Sequence, residues 1–287
     1  MEKLVSAIIT THNRQDLLIR AVKSVFTQTY KNIELIVVDD ASNERADELL
    51  KAFHLRYLYI PKEESKGGNH ARNLGILAAK GDYIAFLDDD DYWLSTYIEK
   101  MVNLIEEKKT DIVYCAKRYE IINKDGVTYK NEVLYHEGDM SRKIMQNSFT
   151  STSCILVKKE TLIGIGLFDE KLRFWQDYDL MIRIAQISPF YFINEPLVVY
   201  RDDKKEKQRI SNQYNNWKKN VDYIHSKYKP LYRSLSWKEK LYSKQFTWRN
   251  ARLRCKTSGL YFKYFYYNTL LYATQIPSKI KGYFNTR

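Results

Sequence analysis

Cysteine is scarce in this chain. Cys115, Cys154 and Cys255 are the only three in 287 residues, and no two form a C-x-x-C pair. That usage excludes a disulfide framework and a thiolate metal cluster, and it predicts reduced thiols in a cytosolic protein. The five histidines (His12, His54, His70, His136 and His225) are dispersed, and none pairs with a cysteine at ligand spacing, which disfavours zinc. Glycine and proline number only 10 and 5, too few for a fibrous or low-complexity chain. No secretory leader is visible, because the apolar run behind Met1 breaks at Thr10 and Thr11. The uncharged stretch from Tyr264 to Ser278 is too short and too polar to span a bilayer. Neither G-x-x-x-x-G-K-[ST] nor G-x-G-x-x-G occurs, so a P-loop NTPase and a dinucleotide fingerprint are both disfavoured.

Charge, by contrast, is plentiful and unevenly placed. The net charge is +12, yet residues 201–287 hold 21 Lys and Arg against 5 Asp and Glu, a balance of +16, which leaves residues 1–200 at −4. A slightly acidic body thus carries a strongly basic tail, a segment suited to an anionic surface, membrane or nucleic acid. The change of texture sets a boundary near residue 205: a domain at 1–204, then a basic, aromatic-rich helical region at 205–287.

Within the body, apolar runs alternate with helical periodicity. Val5 to Thr10 reads as a buried strand, and Leu17, Leu18, Ala21, Val22, Val25 and Phe26 recur at helical spacing behind Asp16 as N-cap. Ile33 to Val38 is a second strand that runs into Asp39-Asp40-Ala41-Ser42. A helix at roughly 46–53 and a strand at Tyr57 to Ile60 follow. Gly67-Gly68 opens a helix from Asn69 to Ala79, closed by Gly81, and Tyr83 to Leu87 is a fourth strand ending in Asp88-Asp89-Asp90-Asp91. This alternation predicts right-handed βαβ crossovers and an α/β fold, with a mostly parallel central sheet flanked by helices. Later strands are expected at Ile112 to Ile122, Cys154 to Val157, Phe190 to Ile193 and Leu197 to Tyr200. Asp125-Gly126 is a turn, and Asp177, Leu180, Met181 and Ile184 share a helical face.

In open parallel sheets, ligands bind beyond the carboxyl ends of the strands, which is where both acidic clusters lie. Four adjacent carboxylates repel one another, so a solvated acidic loop is the plain reading. A buried strand feeding straight into the cluster, with Tyr92-Trp93-Leu94 behind it, favours a functional one. Hard Mg²⁺ or Mn²⁺ suits such oxygen ligands, with substrate phosphates completing the shell. A metal there would neutralise charge on a departing nucleoside diphosphate.

Several segments are recognisable together. Ser6-Ala7-Ile8-Ile9-Thr10-Thr11-His12-Asn13-Arg14, Val37-Val38-Asp39-Asp40-Ala41-Ser42 and Gly68-Asn69-His70-Ala71-Arg72-Asn73-Leu74-Gly75 resemble the opening motifs of family 2 glycosyltransferases. Phe86-Leu87-Asp88-Asp89-Asp90-Asp91 resembles that family's D-x-D region, and Phe168-Asp169-Glu170 and Gln176-Asp177-Tyr178-Asp179-Leu180 its later G-x-F-D-E and E-D-x-D-L segments. Each is weak alone; in order over residues 4–200 they form a strong signal. The resemblance implies a GT-A fold, an inverting transfer from a UDP-sugar donor, a Mn²⁺ or Mg²⁺ cofactor, and work on bacterial surface polysaccharide.

Carried over position by position, the resemblance assigns Thr10, His12 and Asp40 to the uridine pocket, His12 to stack on the base and Asp40 to accept a hydrogen bond from uracil. It brings Arg72 to the nucleotide or its diphosphate, against the plainer reading of a helix-surface arginine. Asp88 and Asp90 become the D-x-D carboxylates, with Asp90 the leading metal ligand. Asp89, beside the donor, and Asp91 are read as outer-shell or simply exposed. Asp177 matches the base that deprotonates the acceptor hydroxyl during in-line attack, with Asp179 a lower-ranked rival. An inverting transfer needs no acid carboxyl on the leaving group if metal fills that role. The chain departs from the pattern at Gln176, where the family has Glu, and at Ser95, where proline often follows the D-x-D segment. No histidine follows Tyr200-Arg201 shortly, as it often does in the family.

The tail lies outside the resemblance. Trp217, Tyr223, Tyr228, Tyr232, Trp237, Tyr242, Phe246 and Trp248 are interleaved with Lys and Arg, and Phe262, Phe265, Tyr266, Leu270 and Leu271 lie near one helical face. Two readings remain open: helices packed on the body, or an amphipathic contact with an anionic membrane. No recognition motif supports nucleic acid. The expected partners are a UDP-sugar and a glycan or lipid-linked glycan acceptor. The setting is cytoplasmic, peripheral at the inner face of the plasma membrane if the tail meets lipid. Rival readings are a nucleotidyltransferase-like sugar-nucleotide enzyme, which would carry a glycine-rich basic loop that Ile9 to Arg14 lacks, and a non-catalytic anionic-surface binder, which would have no need of both Asp90 and Asp177.

Overall fold

In the computed structural model, which describes residues 2–133, 136–203 and 214–274, the apolar runs of the body become strands of one nine-stranded sheet. The expected boundary near 205 falls outside the described residues. The opening strands β1 (Val5–Thr11), β2 (Ile33–Asp40), β3 (Arg56–Ile60) and β4 (Tyr83–Asp88) lie in the order β3-β2-β1-β4, all parallel. Parallel neighbours need crossovers. Here α1 (Gln15–Phe26), α2 (Asp47–Leu50) and α3 (Gly68–Ala78) supply them.

Beyond β4 the sheet changes sense. The chain continues through β5 (Tyr92–Trp93), α4 (Tyr97–Lys108), β6 (Ile112–Asn123), β7 (Gly126–Asn131), β8 (Ile155–Lys158), α5 (Lys159–Gly164), α6 (Gln176–Ala185) and β9 (Phe190–Asp203). β8 pairs antiparallel with β4 and β6, β7 forms a hairpin with β6, and β5 lies antiparallel to β9. Only β6 and β9 return to parallel pairing. The sheet is therefore mixed, parallel over its first four strands rather than mostly parallel throughout.

Four local expectations are corrected. The helix expected at 46–53 is a single turn, α2. Helix α1 begins at Gln15, so Asp16 is not its cap but a first-turn carboxylate favoured by the helix dipole. Gly81 does not close α3, which ends at Ala78. It lies against β1 instead, where a Cβ would come within 2.5 Å of Ser6 Oγ. The two strands expected at 190–193 and 197–200 are one, β9. Its ladder to β6 absorbs the Asn194-Glu195-Pro196 interruption as register shifts around Ala116, the way bulges accommodate a proline.

Successive strand side chains point to opposite faces. Val5, Ala7, Ile9, Val37, Ala85 and Leu87 join a core with Leu18 and Val22 of α1 and Met101 and Ile105 of α4. The other face receives α3 so closely that a Cβ on Gly75 would lie 2.6 Å from Ile8 Cγ2 and 3.4 Å from Val38 Cγ2. By alternation Asp40 and Asp88 belong to the α3 face, and Thr11 and Asp39 to the α1 face.

The chain divides into two compact units: Met1–Ile144 with Ser148–Glu206, and Met145–Asn147 with Lys207–Arg287. In the second, α7 (Tyr214–Lys227) buries Tyr214, Trp217, Val221 and Ile224 at helical spacing. After α8 (Lys229–Ser234), α9 (Trp237–Thr257) starts on a capping box in which the Ser236 side chain accepts from Glu239 N–H while the Glu239 carboxylate accepts from Ser236 N–H. Helix α10 (Tyr261–Ala273) packs along α9. The face expected to group Phe262, Phe265 and Tyr266 with Leu270 and Leu271 divides, the aromatics exposed and the leucines half-buried. Among the described residues no helix is long and apolar enough to cross a membrane.

Gly75 offers a test of the α3 contact. Alanine favours a helix over glycine by about 1 kcal/mol, but a methyl at 2.6 Å from Ile8 overpacks the interface. Gly75→Ala is expected to destabilise the protein by roughly 1–3 kcal/mol in urea unfolding, the steric penalty exceeding the propensity gain.

Candidate active site

The carboxyl edge of the parallel strands gathers the expected site residues, because register sets Thr10 opposite Asp88 and Thr11 opposite Asp39. On the α1 face the carboxylates are structural. Asp39 is fully buried and accepts hydrogen bonds from Ser42 N–H (3.0 Å), Ala46 N–H (3.3 Å) and the Tyr57 hydroxyl (2.7 Å), which folds the 41–46 loop. The Thr11 hydroxyl donates to Asp89 Oδ2 at 2.8 Å. Arg14 Nη1 donates to Asp89 Oδ1 at 3.2 Å and to Asp90 Oδ2 at 3.0 Å. Burial pushes the Asp89 carboxyl up to about 6, against the opposing pull of Arg14 and Thr11.

Asp91 is wholly buried. It accepts from the Ser153 hydroxyl (2.8 Å) and from Arg201 N–H (3.1 Å), and burial holds its carboxyl well above the usual range. Asp89 and Asp91 are thus not exposed, contrary to one of the expected readings. The turn after β4 folds both inward, Asp89 against β1 and Asp91 against β9.

On the α3 face the groups remain available. Asp40 is buried, and its Oδ1 has no hydrogen-bond partner among the described residues, an orphaned acceptor worth about 1–3 kcal/mol of lost solvation. The Asn13 side-chain amide donates to His12 Nε2 (3.0 Å), so Nδ1 carries the ring hydrogen and donates to the Asp40 carbonyl (2.6 Å). The exposed His12 ring and half-buried Thr10 flank Asp40. Arg72 is no helix-surface arginine. It is buried, donates from Nη2 to Asp88 Oδ1 at 2.6 Å, and sets its guanidinium 5.7 Å from the Phe168 ring centroid. Asp90, whose carbonyl accepts from Arg20 Nη2 at 2.8 Å, stands at the rim with a side chain 16% exposed.

Asp177 is the second residue of α6, half-buried, with Oδ1 accepting from Tyr178 N–H at 2.8 Å. Burial raises its pKa, the charges of Lys117 and Arg72 oppose that, and Asp88 adds to it. Those influences put Asp177 in the electrostatic neighbourhood of the Asp88–Arg72 pair. Asp179 is fully buried and bound by Arg183 through Nε (3.0 Å) and Nη2 (2.8 Å).

The approach to α6 is tied down by α3. Asn69 Nδ2 donates to the carbonyls of Asp169 and Leu172 (both 2.8 Å). Asn73 exchanges hydrogen bonds with the Phe168 backbone at 3.0 and 2.9 Å. Of the five non-glycine residues with left-handed φ among the described residues, Asn13 (54°), Ala41 (61°) and Trp175 (58°) stand beside His12, Asp40 and the start of α6. Strain of this kind persists where the surroundings over-determine the backbone.

Sequence reasoning missed Lys117 and left Arg14 without a role. Lys117 is 9% exposed, its Nζ 3.4 Å from Ser151 Oγ and 5.4 and 5.2 Å from the ring centroids of Tyr119 and Tyr200. Burial works against its charge, but Tyr119 and Glu132 outweigh it and hold the ammonium protonated. Its signal was available: a lysine that interrupts the apolar run Ile112 to Ala116.

Among the described residues no three His, Cys, Asp or Glu side chains are grouped to hold a metal ion. The donor set nevertheless suits one. Asp88 and Asp90 carry carboxylate oxygens, one of each paired with Arg72 and Arg14, and the Asp88 side chain is a third exposed. A Mg²⁺- or Mn²⁺-type site needs only one or two carboxylates when substrate phosphates fill the shell.

An α/β sheet whose acidic strand ends face a helix-mounted carboxylate has the layout of a nucleotide-sugar transferase of the GT-A class. Residues 6–166 match the family model described as Glycosyl transferase family 2. A glycosyltransferase of Haemophilus influenzae is 31% identical over 229 residues, covering 78% of this chain and 77% of that one. The chain thus belongs to glycosyl transferase family 2. An Escherichia coli protein named UDP-Glc:alpha-D-GlcNAc-diphosphoundecaprenol beta-1,3-glucosyltransferase WfaP is 41% identical over 113 residues, 39% of this chain and 45% of its own. The structure of S. aureus TarS 1-349 in complex with UDP-GlcNAc superposes with a TM-score of 0.61 at 14% identity, covering 94% of this chain and 91% of that one; it shares the fold.

The buried carboxylates have a consequence for stability. Because the folded Asp89 carboxyl titrates near 6, the folded state holds a proton that the unfolded chain has already lost. Its contribution therefore falls as pH rises from about 4 to about 6 and is flat above. Asp89→Asn is expected to lessen that fall by roughly 2–3 kcal/mol, read from urea unfolding at pH 4 and pH 7. An unchanged slope would relocate the proton.

Proposed function

We propose that this glycosyltransferase is an inverting enzyme that moves a sugar from a UDP-sugar to the hydroxyl of a lipid-linked glycan, with Asp177 as base. The observation that carries the reading is the placing of a half-buried Asp177, its pKa raised, within electrostatic reach of Asp88, Arg72 and Lys117. A carboxylate with a raised pKa binds the acceptor's proton more readily than an ordinary one, and the charges of Lys117 and Arg72 oppose the rise that burial causes. Support for the donor comes from the TarS complex with UDP-GlcNAc, and support for a lipid-linked acceptor from the name of WfaP.

The residues divide the work in order. The orphaned Asp40 Oδ1 accepts from the uracil N–H, while the exposed face of His12 stacks on the ring and Thr10 borders it. Asp88 and Asp90 would hold Mn²⁺ or Mg²⁺, with Asp89 behind them fixing the turn through Thr11 and Arg14. That ion supplies positive charge to the diphosphate leaving group. Arg72, already on Asp88, reaches the same diphosphate. As the acceptor oxygen attacks the anomeric carbon from the face opposite the diphosphate, Asp177 takes its proton. A nucleotide-sugar donor and three free thiols both fit a cytoplasmic setting.

A panel of UDP-sugars with Mn²⁺, scored for UDP release with and without chelator, tests the reading. One donor is expected to be consumed, with chelator stopping turnover; consumption of none, or chelator-insensitive turnover, would overturn it. Asp177→Asn is expected to lower turnover by roughly 10²–10⁴ with UDP affinity nearly unchanged in calorimetry. Asp40→Ala is expected to weaken UDP binding by roughly ten- to a hundredfold. Lys117→Met removes a cation that favours the ionised base, so the acidic limb of the pH–rate profile should move to higher pH. A limb that stays in place, or moves down, would remove Lys117 from that role.

A further inference from the structure

Helix α10 carries the most exposed aromatic surface among the described residues. Tyr261, Phe262, Phe265, Tyr266 and Tyr272 are between 60 and 96% exposed. At about 100° per residue they fall on one arc of the helix, which they share only with Thr269 and Ala273. No charged side chain interrupts the arc. The opposite side, with Tyr264, Tyr267, Leu270 and Leu271, is half-buried where α10 packs along α9, and Lys263 leans away from the arc to set its Nζ 4.8 Å from the Tyr214 ring centroid. The helix is thus half-buried on one side and leaves its aromatic arc uncovered among the described residues. Scattered exposed aromatics need no explanation, but a contiguous patch of five marks a contact surface.

Charge selects the occupant. Residues 237–273, α9 to α10, hold eight Lys and Arg against the single Glu239, and the whole segment from 201 onward stands at +16. A second copy of the same chain would bring like charge to like charge. An anionic bilayer brings the opposite charge, and its headgroup–acyl boundary is where amphipathic tyrosines and phenylalanines come to rest. Each basic residue near such a surface adds to the attraction. We propose that the exposed aromatic arc of α10 is a docking face for an anionic lipid surface, with the cations of α9 supplying the long-range attraction. The helix lies in the interface and does not cross it, consistent with its 13 residues. The proposal is independent of the transfer chemistry and is tested without donor or acceptor.

The test is sedimentation of the full chain with vesicles of phosphatidylcholine alone and of phosphatidylcholine with phosphatidylglycerol, at low and physiological salt. The wild type is expected to sediment with the phosphatidylglycerol vesicles, less so at higher salt, and to stay in solution with phosphatidylcholine alone. Phe262→Ser, Phe265→Ser and Tyr266→Ser combined should reduce that binding by about tenfold or more, with an unchanged circular-dichroism melt. Should the triple variant fold poorly, Phe265→Asp alone reads the same face. Absence of binding by the wild type, or wild-type binding by a folded variant, would overturn the proposal. So would a concentration-dependent dimer that the substitutions abolish, which would assign the arc to a second copy.

Discussion

The structure is organised around like charges brought to one place with little water. Asp40, Asp88, Asp89, Asp90, Asp91 and Asp177 converge on one edge of the sheet. Carboxylates this close, partly desolvated, raise one another's pKa and destabilise the fold unless each finds donors. Three of them find different donors. Asp88 takes Arg72 from α3, Asp89 takes Thr11 and Arg14 from the end of β1, and Asp91 takes Ser153 ahead of β8 and the Arg201 backbone of β9. Elements far apart in the chain meet here because this edge would not be stable without them.

Alternation along strands and turns decides which of two adjacent identical residues is scaffold. Asp39 and Asp40 are consecutive on β2, yet one has three donors and the other an oxygen with none. Asp177 and Asp179 on α6 divide the same way, one in the field of the site and the other locked to Arg183. A one-residue slip in the register of β2 would exchange the fates of Asp39 and Asp40. The tight contact of Gly75 with Ile8 and Val38 is therefore a functional constraint as well as a packing one, since it fixes how α3 sits on the face that Asp40 and Asp88 share.

Much of this was legible in the sequence, because the signals are local. Apolar runs ending in Asp39-Asp40 and Asp88 to Asp91 announce strands that deliver carboxylates to one edge, and ordered motifs announce the family. The illegible parts depend on pairings across long stretches of chain. Asn69 and Asn73 belong to a motif associated with nucleotide, but their side chains hold residues 168–172, about a hundred positions away, and so position α6. The burial of Asp89 and Asp91 depends on how the turn after β4 folds onto β1 and β9. The continuity of β9 through Pro196 depends on β6 accepting shifts in its ladder. Lys117 was visible as an anomaly in an apolar run, but its partners Tyr119, Tyr200 and Ser151 come together only in the folded sheet.

Several unfavourable features meet at this edge: an orphaned buried oxygen at Asp40, left-handed φ at Asn13, Ala41 and Trp175, and raised carboxyl pKa values at Asp89, Asp91 and Asp177. Each costs on the order of one to a few kcal/mol and would be removable by substitution if stability were the only demand. They persist because the neighbouring structure holds them in place: the Asp39 hydrogen bonds fix the Ala41 loop, and the Asn69 and Asn73 contacts fix the path to Trp175. The edge is thus strained and rigidly held at the residues on which the proposed nucleotide contacts rest: in that reading a uracil ring would supply the donor that Asp40 Oδ1 lacks among the described residues, and a cation would add to the positive charge that Arg72 and Arg14 already bring to Asp88 and Asp90.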